Sequence, residues 1–372
     1  MCLNLNNPQR TLVILMVLTF PMSCFSAVIL HGNQDIMSSM AYHHATFDLT
    51  DGRFTIKQGG SLIITDSIID ITISAHNPFL ANIQNGSLVL KNTIVNIKTS
   101  GMYPNPEKKA LYQLITQQGG QLNVLNNTFD VTDDFTVGFI HVTCLASKSN
   151  IKINHNRINH FHGGIDLALC DEVEIDDNNF TEVSLANISY SGNHSQFIGN
   201  TFYFPGNLRT GNAINMVKAN HIMVSHNIIA SSASYGMTLM GVSDISIDSN
   251  KITDGQSYAI FINSPKFKVK FKHEKITNDN ISISNNYFSQ NKYGVAGDDI
   301  LHLIINNNIF IQKFNDARTR QTFTDNHYLL PHVFELTWHD NLYKEAFTQE
   351  NDGDNTSALT FIVFPKYGGV RI

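Results

Sequence analysis

The chain has 372 residues, 42% hydrophobic and 15% charged, with a formal net charge of −6. The charged fraction, against roughly 25% in an ordinary globular protein, argues against a highly charged disordered chain. The acidic balance argues against a nucleic-acid binder, which would carry a basic footprint.

Residues 1–27 read as a secretory signal: Arg10 supplies the positive charge, Thr11 to Phe20 the apolar run, and Ser23 to Ala27 small residues for cleavage after Ser26 or Ala27. The run is too short to cross a bilayer, and no later stretch is apolar enough to be a membrane span. The expectation is export, to the periplasm or beyond. Residues 28–50 are expected to cap the first coil of the repeat described next.

Between residues 51 and 312 one frame recurs: apolar, any, apolar, two of any kind, Asn, any, apolar. Ile151 to Ile158, Val173 to Phe180, Ile245 to Ile252 and Ile281 to Phe288 are clear copies. The turn position runs through Ser67, Thr93, Asn127, Asn156, Asn178, Asn200, Asn227, Asn250, Asn286 and Asn308, and much of the chain's total of 42 Asn belongs to this frame. Successive turns are never closer than 22 residues, as expected for a fixed coil with loops of varying length. Apolar positions alternate with period two, which excludes helical repeats. A second type of strand follows each turn, as in Gly164-Ile165-Asp166-Leu167 and Ala259-Ile260-Phe261-Ile262. Stacked coils of this kind form an all-β parallel solenoid of about ten to eleven coils. Asn suits the column because its amide can bond the amide one coil away, about 4.8 Å distant, and because it tolerates a left-handed turn.

Cys144 and Cys170 remain after the signal. Export permits a disulfide, but the two are offset by one residue in the coil register, so separate thiols stay open as the alternative. Residues 313–372 lose the repeat, hold the chain's one Trp, Trp338, and read as a C-terminal cap and loop.

The repeat resembles the right-handed parallel β-helix superfamily, the pectate-lyase-like group with CASH (PbH1) repeats, over roughly residues 50–312. The resemblance implies that the Asn turn joins the second and third sheets. The Gly-Ile-Asp-Leu type strand would then be the first sheet, whose outer face carries a substrate groove. Aligned on that sheet, His141, Asp166, Ser189, Asn215, Thr238, Phe261 and Ala296 form one outward line. Phe139, Gly164, Asn187, Ala213, Gly236 and Ala259 are read as a second outward line.

His141 and Asp166 fall on adjacent coils, and His160 and His162 lie on the loop entering the Asp166 strand. A carboxylate beside imidazoles suits acid–base work, so His141, Asp166 and His162 are the catalytic candidates, weighed against an ordinary polar face. Ser189, Asn215, Thr238 and Phe261 are candidate substrate contacts. A three-imidazole metal site is the weaker reading of the same histidines. The run Asp171 to Asp177 is read as a solvated face, leaving calcium as the one cofactor open.

From Pro265 to Lys272 lysines alternate with apolar residues, which predicts an extended strand, cationic on one side. Lys266, Lys268, Lys270 and Lys272 could match carboxylates along an anionic polysaccharide, or could protect a strand edge. Tyr235, Tyr258 and Tyr293 share one position on successive coils. They are read as a ladder inside or at the corner of the coil in preference to a sugar platform.

The leading functional expectation is an exported protein acting on an acidic polysaccharide as lyase, epimerase or hydrolase. The others are a non-catalytic glycan-binding, adhesive or scaffold protein, and a periplasmic metal-delivery accessory protein. The epimerase string Asp-Pro-His-Asp is absent, and no arginine lies on the outward line, so the resemblance bears on fold more than on chemistry.

Overall fold

The computed structural model describes residues 26–100, 112–132, 137–144, 150–203, 211–263, 278–291, 293–297, 300–314, 328–329, 333–348 and 359–363. They form an all-β, right-handed parallel β-solenoid.

Alternation in the sequence becomes alternation in space. In the strand Ile151–Asn154, Ile151 and Ile153 are fully buried while Lys152 and Asn154 face out. Its neighbours in parallel register, Leu122 with Val124 and Val173 with Ile175, repeat the arrangement. The third sheet contributes an interior column in which Phe129, Ile158, Phe180 and Phe202 lie in register. Phe180 stacks on Phe202 at 5.0 Å, and Phe288 on Phe310 at 4.8 Å. Each fully buried aliphatic or aromatic side chain of this shaft stabilises the fold by about 1.5–3 kcal/mol.

The asparagines stack in a line. Asn156 donates its backbone N–H to Asn178 Oδ1 at 3.0 Å and its side-chain amide to the same oxygen at 2.9 Å and to Val124 O at 2.8 Å. Asn178 treats Asn200 in the same way, and Asn200 treats Asn227. A side chain that is 0–2% exposed thus satisfies buried backbone groups in the coils on either side. The left-handed backbone falls one residue earlier than the sequence reading placed it. Asn126, His155, Asp177, His226 and Ser249, each just before a ladder Asn, have φ of 55–60°. Asn, Asp and His are the residues that adopt this conformation most readily, which explains why they crowd this position.

The ladder reaches further at both ends than the frame alone marks. Ser26–Ile36 and Ser39–His43 pair in parallel with the strands that follow them. Val333–His339 pairs with Ile300–Asn306, and Asn341 accepts from Asn308 N at 2.9 Å, adding one more rung. Leu359–Val363 then pairs antiparallel with Leu342–Thr348. Among the described residues no helix is long and apolar enough to cross a membrane.

Candidate functional site on the first sheet

The outward line expected on the first sheet exists in register. His141 opposes Asp166, Asp166 opposes Ser189, Ser189 opposes Asn215, Asn215 opposes Thr238, and Thr238 opposes Phe261. The line also continues toward the N-terminus through Thr116, Asn82 and Thr55, where Thr116 Oγ1 donates to Asn82 Oδ1 at 3.1 Å. Those residues were not foreseen because the strands there lack the Gly-x-Asp type of signature.

His141 Nδ1 lies 3.0 Å from Asp166 Oδ2, with the two side chains 42% and 50% exposed. The pair is therefore within reach of a ligand from outside. Ser189, Asn215 and Phe261 are half-buried on the same face. Thr238 is only 6% exposed, and its hydroxyl accepts from Asn212 Nδ2 at 3.0 Å, so it supports the face from below. Ala296 is buried.

His162 does not join the pair. It is 3% exposed, and its backbone N–H donates to Val137 O at 2.9 Å, at the entry of the strand Gly163–Ala168. It stands four positions before Asp166, roughly 13 Å of extended chain. His160 points elsewhere: Nδ1 is 2.9 Å from Asp130 and Nε2 is 2.9 Å from Glu182.

The second outward line is a correction. Phe139, Asn187, Ala213 and Ala259 are all 0% exposed, and Phe139 packs edge-on against Phe129 at 4.6 Å. Val137 to Ile140 are all buried in succession, so period-two counting fails there. A Cβ on Gly164 would collide with Asn187 O, and one on Gly236 with Ala259 O, which accounts for glycine at these close backbone approaches.

Cys144 and Cys170 are bonded, with Cα atoms 5.1 Å apart. The one-residue offset that argued against the bridge is absorbed at Leu169, whose φ of 59° brings Cys170 round to its partner. The bridge sits three residues after His141 and four after Asp166, and ties together the two strands that carry them.

The tyrosines are an aromatic set on the outside rather than inside the coil. Tyr258 stacks on Tyr293 at 4.6 Å and on Phe261 at 5.2 Å, and Phe261 stacks on Tyr235 at 5.1 Å. All four rings are half-buried. Burial, with Tyr293 and Tyr235 adding to it, pushes the Tyr258 hydroxyl above the usual phenol range.

The acidic run is occupied by its neighbours. Glu174 pairs with Lys152 at 2.8 Å, Asp171 accepts from Asn193, and Asp177 lies 3.4 Å from His155. Burial raises the carboxyl of Asp176 above the ordinary range, although it accepts from Gln196 at 2.7 Å. Among the described residues no group of three or more His, Cys, Asp or Glu side chains is arranged to hold a metal ion. Lys266, Lys268, Lys270 and Lys272 lie outside the described residues.

A shallow concavity on the second sheet was not foreseen. Glu172, Glu174, His194, Gln196, His221 and Met223 line it, and the rings of His194 and His221 stack at 4.7 Å. Its signal was present in the sequence. Glu172, His194, His221 and Asp244 each stand six residues before a ladder Asn and share a left-handed φ of 53–57°.

A family model described as the right-handed beta helix region matches residues 140–280. This chain is a right-handed parallel β-helix. No curated protein matches the β-helix in sequence, but solved structures resemble it. A point mutant of the PL6-family alginate lyase AlyGC superimposes with a TM-score of 0.51 at 14% identity, covering 90% of this chain and 52% of that one. A mannuronic-acid-specific polysaccharide family 6 lyase from the human gut microbiota gives 0.49 at 12% identity, covering 82% and 81%. A mutant of the periplasmic alginate epimerase AlgG gives 0.45 at 12% identity, covering 84% and 85%. At 14% identity the likeness to AlyGC bears on fold alone.

Proposed function

We propose that this β-helix is an exported protein that holds an acidic polysaccharide along the outer face of its first sheet, with His141 and Asp166 as a proton-transfer pair. The observation that carries the reading is the 3.0 Å contact between them, set in an in-register line of hydroxyl and amide side chains. Asp166 accepting from Nδ1–H fixes the tautomer and makes Nε2 the basic nitrogen. Such a base can take the proton α to a uronate carboxylate. Expulsion of the neighbouring glycosidic oxygen then breaks the chain and leaves an unsaturated end, as in a lyase. Return of a proton to the opposite face inverts the carbon, as in an epimerase.

Glycoside hydrolysis is less well supported. It ordinarily needs two carboxylates, and the described in-register neighbours of His141 and Asp166 are Thr116 and Ser189. Two further features agree with the main reading. The lysine-alternating segment follows the strand Tyr258–Asn263 in sequence and suits an anionic polymer. The signal-like residues 1–27 and the Cys144–Cys170 bridge suit an oxidising compartment. AlyGC, which superimposes with a TM-score of 0.51, is an alginate lyase, which agrees with a uronate substrate.

A non-catalytic glycan-binding face is the second reading, favoured by the predominance of hydroxyl and amide groups along the line. Incubation with alginate and polygalacturonate, followed by ultraviolet absorbance of unsaturated ends and by binding, separates the two. Absorbance growth supports the lyase. Salt-sensitive binding without any chemical change to the polymer supports the binding face, and absence of binding defeats both.

A further inference from the structure

We infer that Tyr235, Tyr258, Phe261 and Tyr293 form a stacking subsite for a pyranose ring of the polymer, remote from the His141–Asp166 pair on the same face. The inference rests on the polysaccharide reading and adds a second point of attachment to it. Asp166 and Phe261 are four strand steps apart through Ser189, Asn215 and Thr238. At about 4.8 Å per step, the separation is ~19 Å.

The rings are not needed to fill the shaft, whose own aromatic stacks, Phe180–Phe202 and Phe288–Phe310, lie inside the coil. Phe261 occupies the outward line where the preceding coils carry Ser189, Asn215 and Thr238, so the face changes there from hydrogen-bonding to apolar. Four rings lie within 25° of parallel where they touch, a pre-ordered surface that loses little freedom on binding. A pyranose presents apolar C–H groups on its faces and hydroxyls at its rim. The rings touch one another by their faces, so the C–H groups meet the exposed sides of the stack, and Asn215, two coils before Phe261, is an amide for hydroxyls further along the polymer.

The test measures calorimetric binding of long alginate and polygalacturonate. Wild type is compared with Tyr258→Leu and Phe261→Leu, which keep apolar bulk and so the fold, and with Phe261→Tyr, which keeps the ring. The subsite requires each Leu variant to bind long polymer about 2- to 10-fold more weakly. It also requires Phe261→Tyr to match wild type throughout. Long polymer bound equally by wild type and the Leu variants overturns the subsite while the polysaccharide reading stands. Phe261→Tyr weakened as much as Phe261→Leu overturns ring packing as the cause. Failure of wild type to bind either polymer overturns both.

Discussion

Cys144 and Cys170 join the strands that carry His141 and Asp166, so a covalent bond fixes the relative position of the two coils whose side chains meet at 3.0 Å. The bridge closes a loop of 26 residues. On loop-closure grounds it stabilises the protein by about 3 kcal/mol. Cys144→Ala with Cys170→Ala is expected to lower the denaturant-derived unfolding free energy by that amount. An unchanged midpoint and slope would show that the Asn ladder alone sets the coil register.

Asn200 is 0% exposed, accepts from both nitrogens of Asn178, and donates to Ile175 O at 2.7 Å and Asn227 Oδ1 at 3.1 Å. Asn200→Ala leaves buried donors and acceptors unmatched and is expected to cost roughly 3 kcal/mol. Asn200→Ser is expected to cost less, because Ser67 holds the equivalent place by accepting from Ala45 N at 3.1 Å. Thermal or urea unfolding of the two variants gives the ranking. Equal losses would count against the amide bonds as the cause.

Asp166→Asn keeps the shape of the pair but removes the charge that holds the His141 tautomer. Turnover of uronate polymer is expected to fall about 100-fold or more while binding of the polymer changes little. Equal losses in binding and rate would make Asp166 a binding residue only.

Burial alone would raise the carboxyl of Asp248, but hydrogen bonds from Asn285, Ser249 and Ser284 outweigh it and hold the group below the usual carboxylate range. A depressed folded-state value means that its contribution is present above the unfolded value, about 4, and is lost as pH falls through the folded one. Melting temperature is therefore expected to drop on acidification, and to drop less steeply in Asp248→Asn. Identical acid profiles would remove Asp248 from the account.

Most of the architecture is legible in the sequence because it depends on local period and on one residue type. Val173, Ile175, Asn178 and Phe180 declare a coil by themselves. Legibility fails where the third dimension intervenes. Leu336, Trp338, Asn341 and Tyr343 fit the frame, but Trp and Tyr stand where Ile and Phe are usual, so the last rung was passed over. Cys170 looked misaligned because a single left-handed residue, Leu169, changes the direction of the chain. Phe139 and Asn187 are buried directly before the buried Ile140 and Ile188, so alternation gives no reliable inside or outside there. The His141–Asp166 contact was legible because inward and outward side chains alternate regularly from Ile140 and from Ile165 onward.

The location of the polymer is the claim on which the functional account depends, and thiol shielding tests it directly. Ser189→Cys reports on the first-sheet face beside Asp166, and Met223→Cys, at a side chain 41% exposed, reports on the second-sheet concavity. With saturating alginate or polygalacturonate, maleimide labelling of Cys at 189 is expected to slow while labelling at 223 proceeds unchanged. Shielding at 223 with free labelling at 189 would put the polymer on the other sheet and contradict the account.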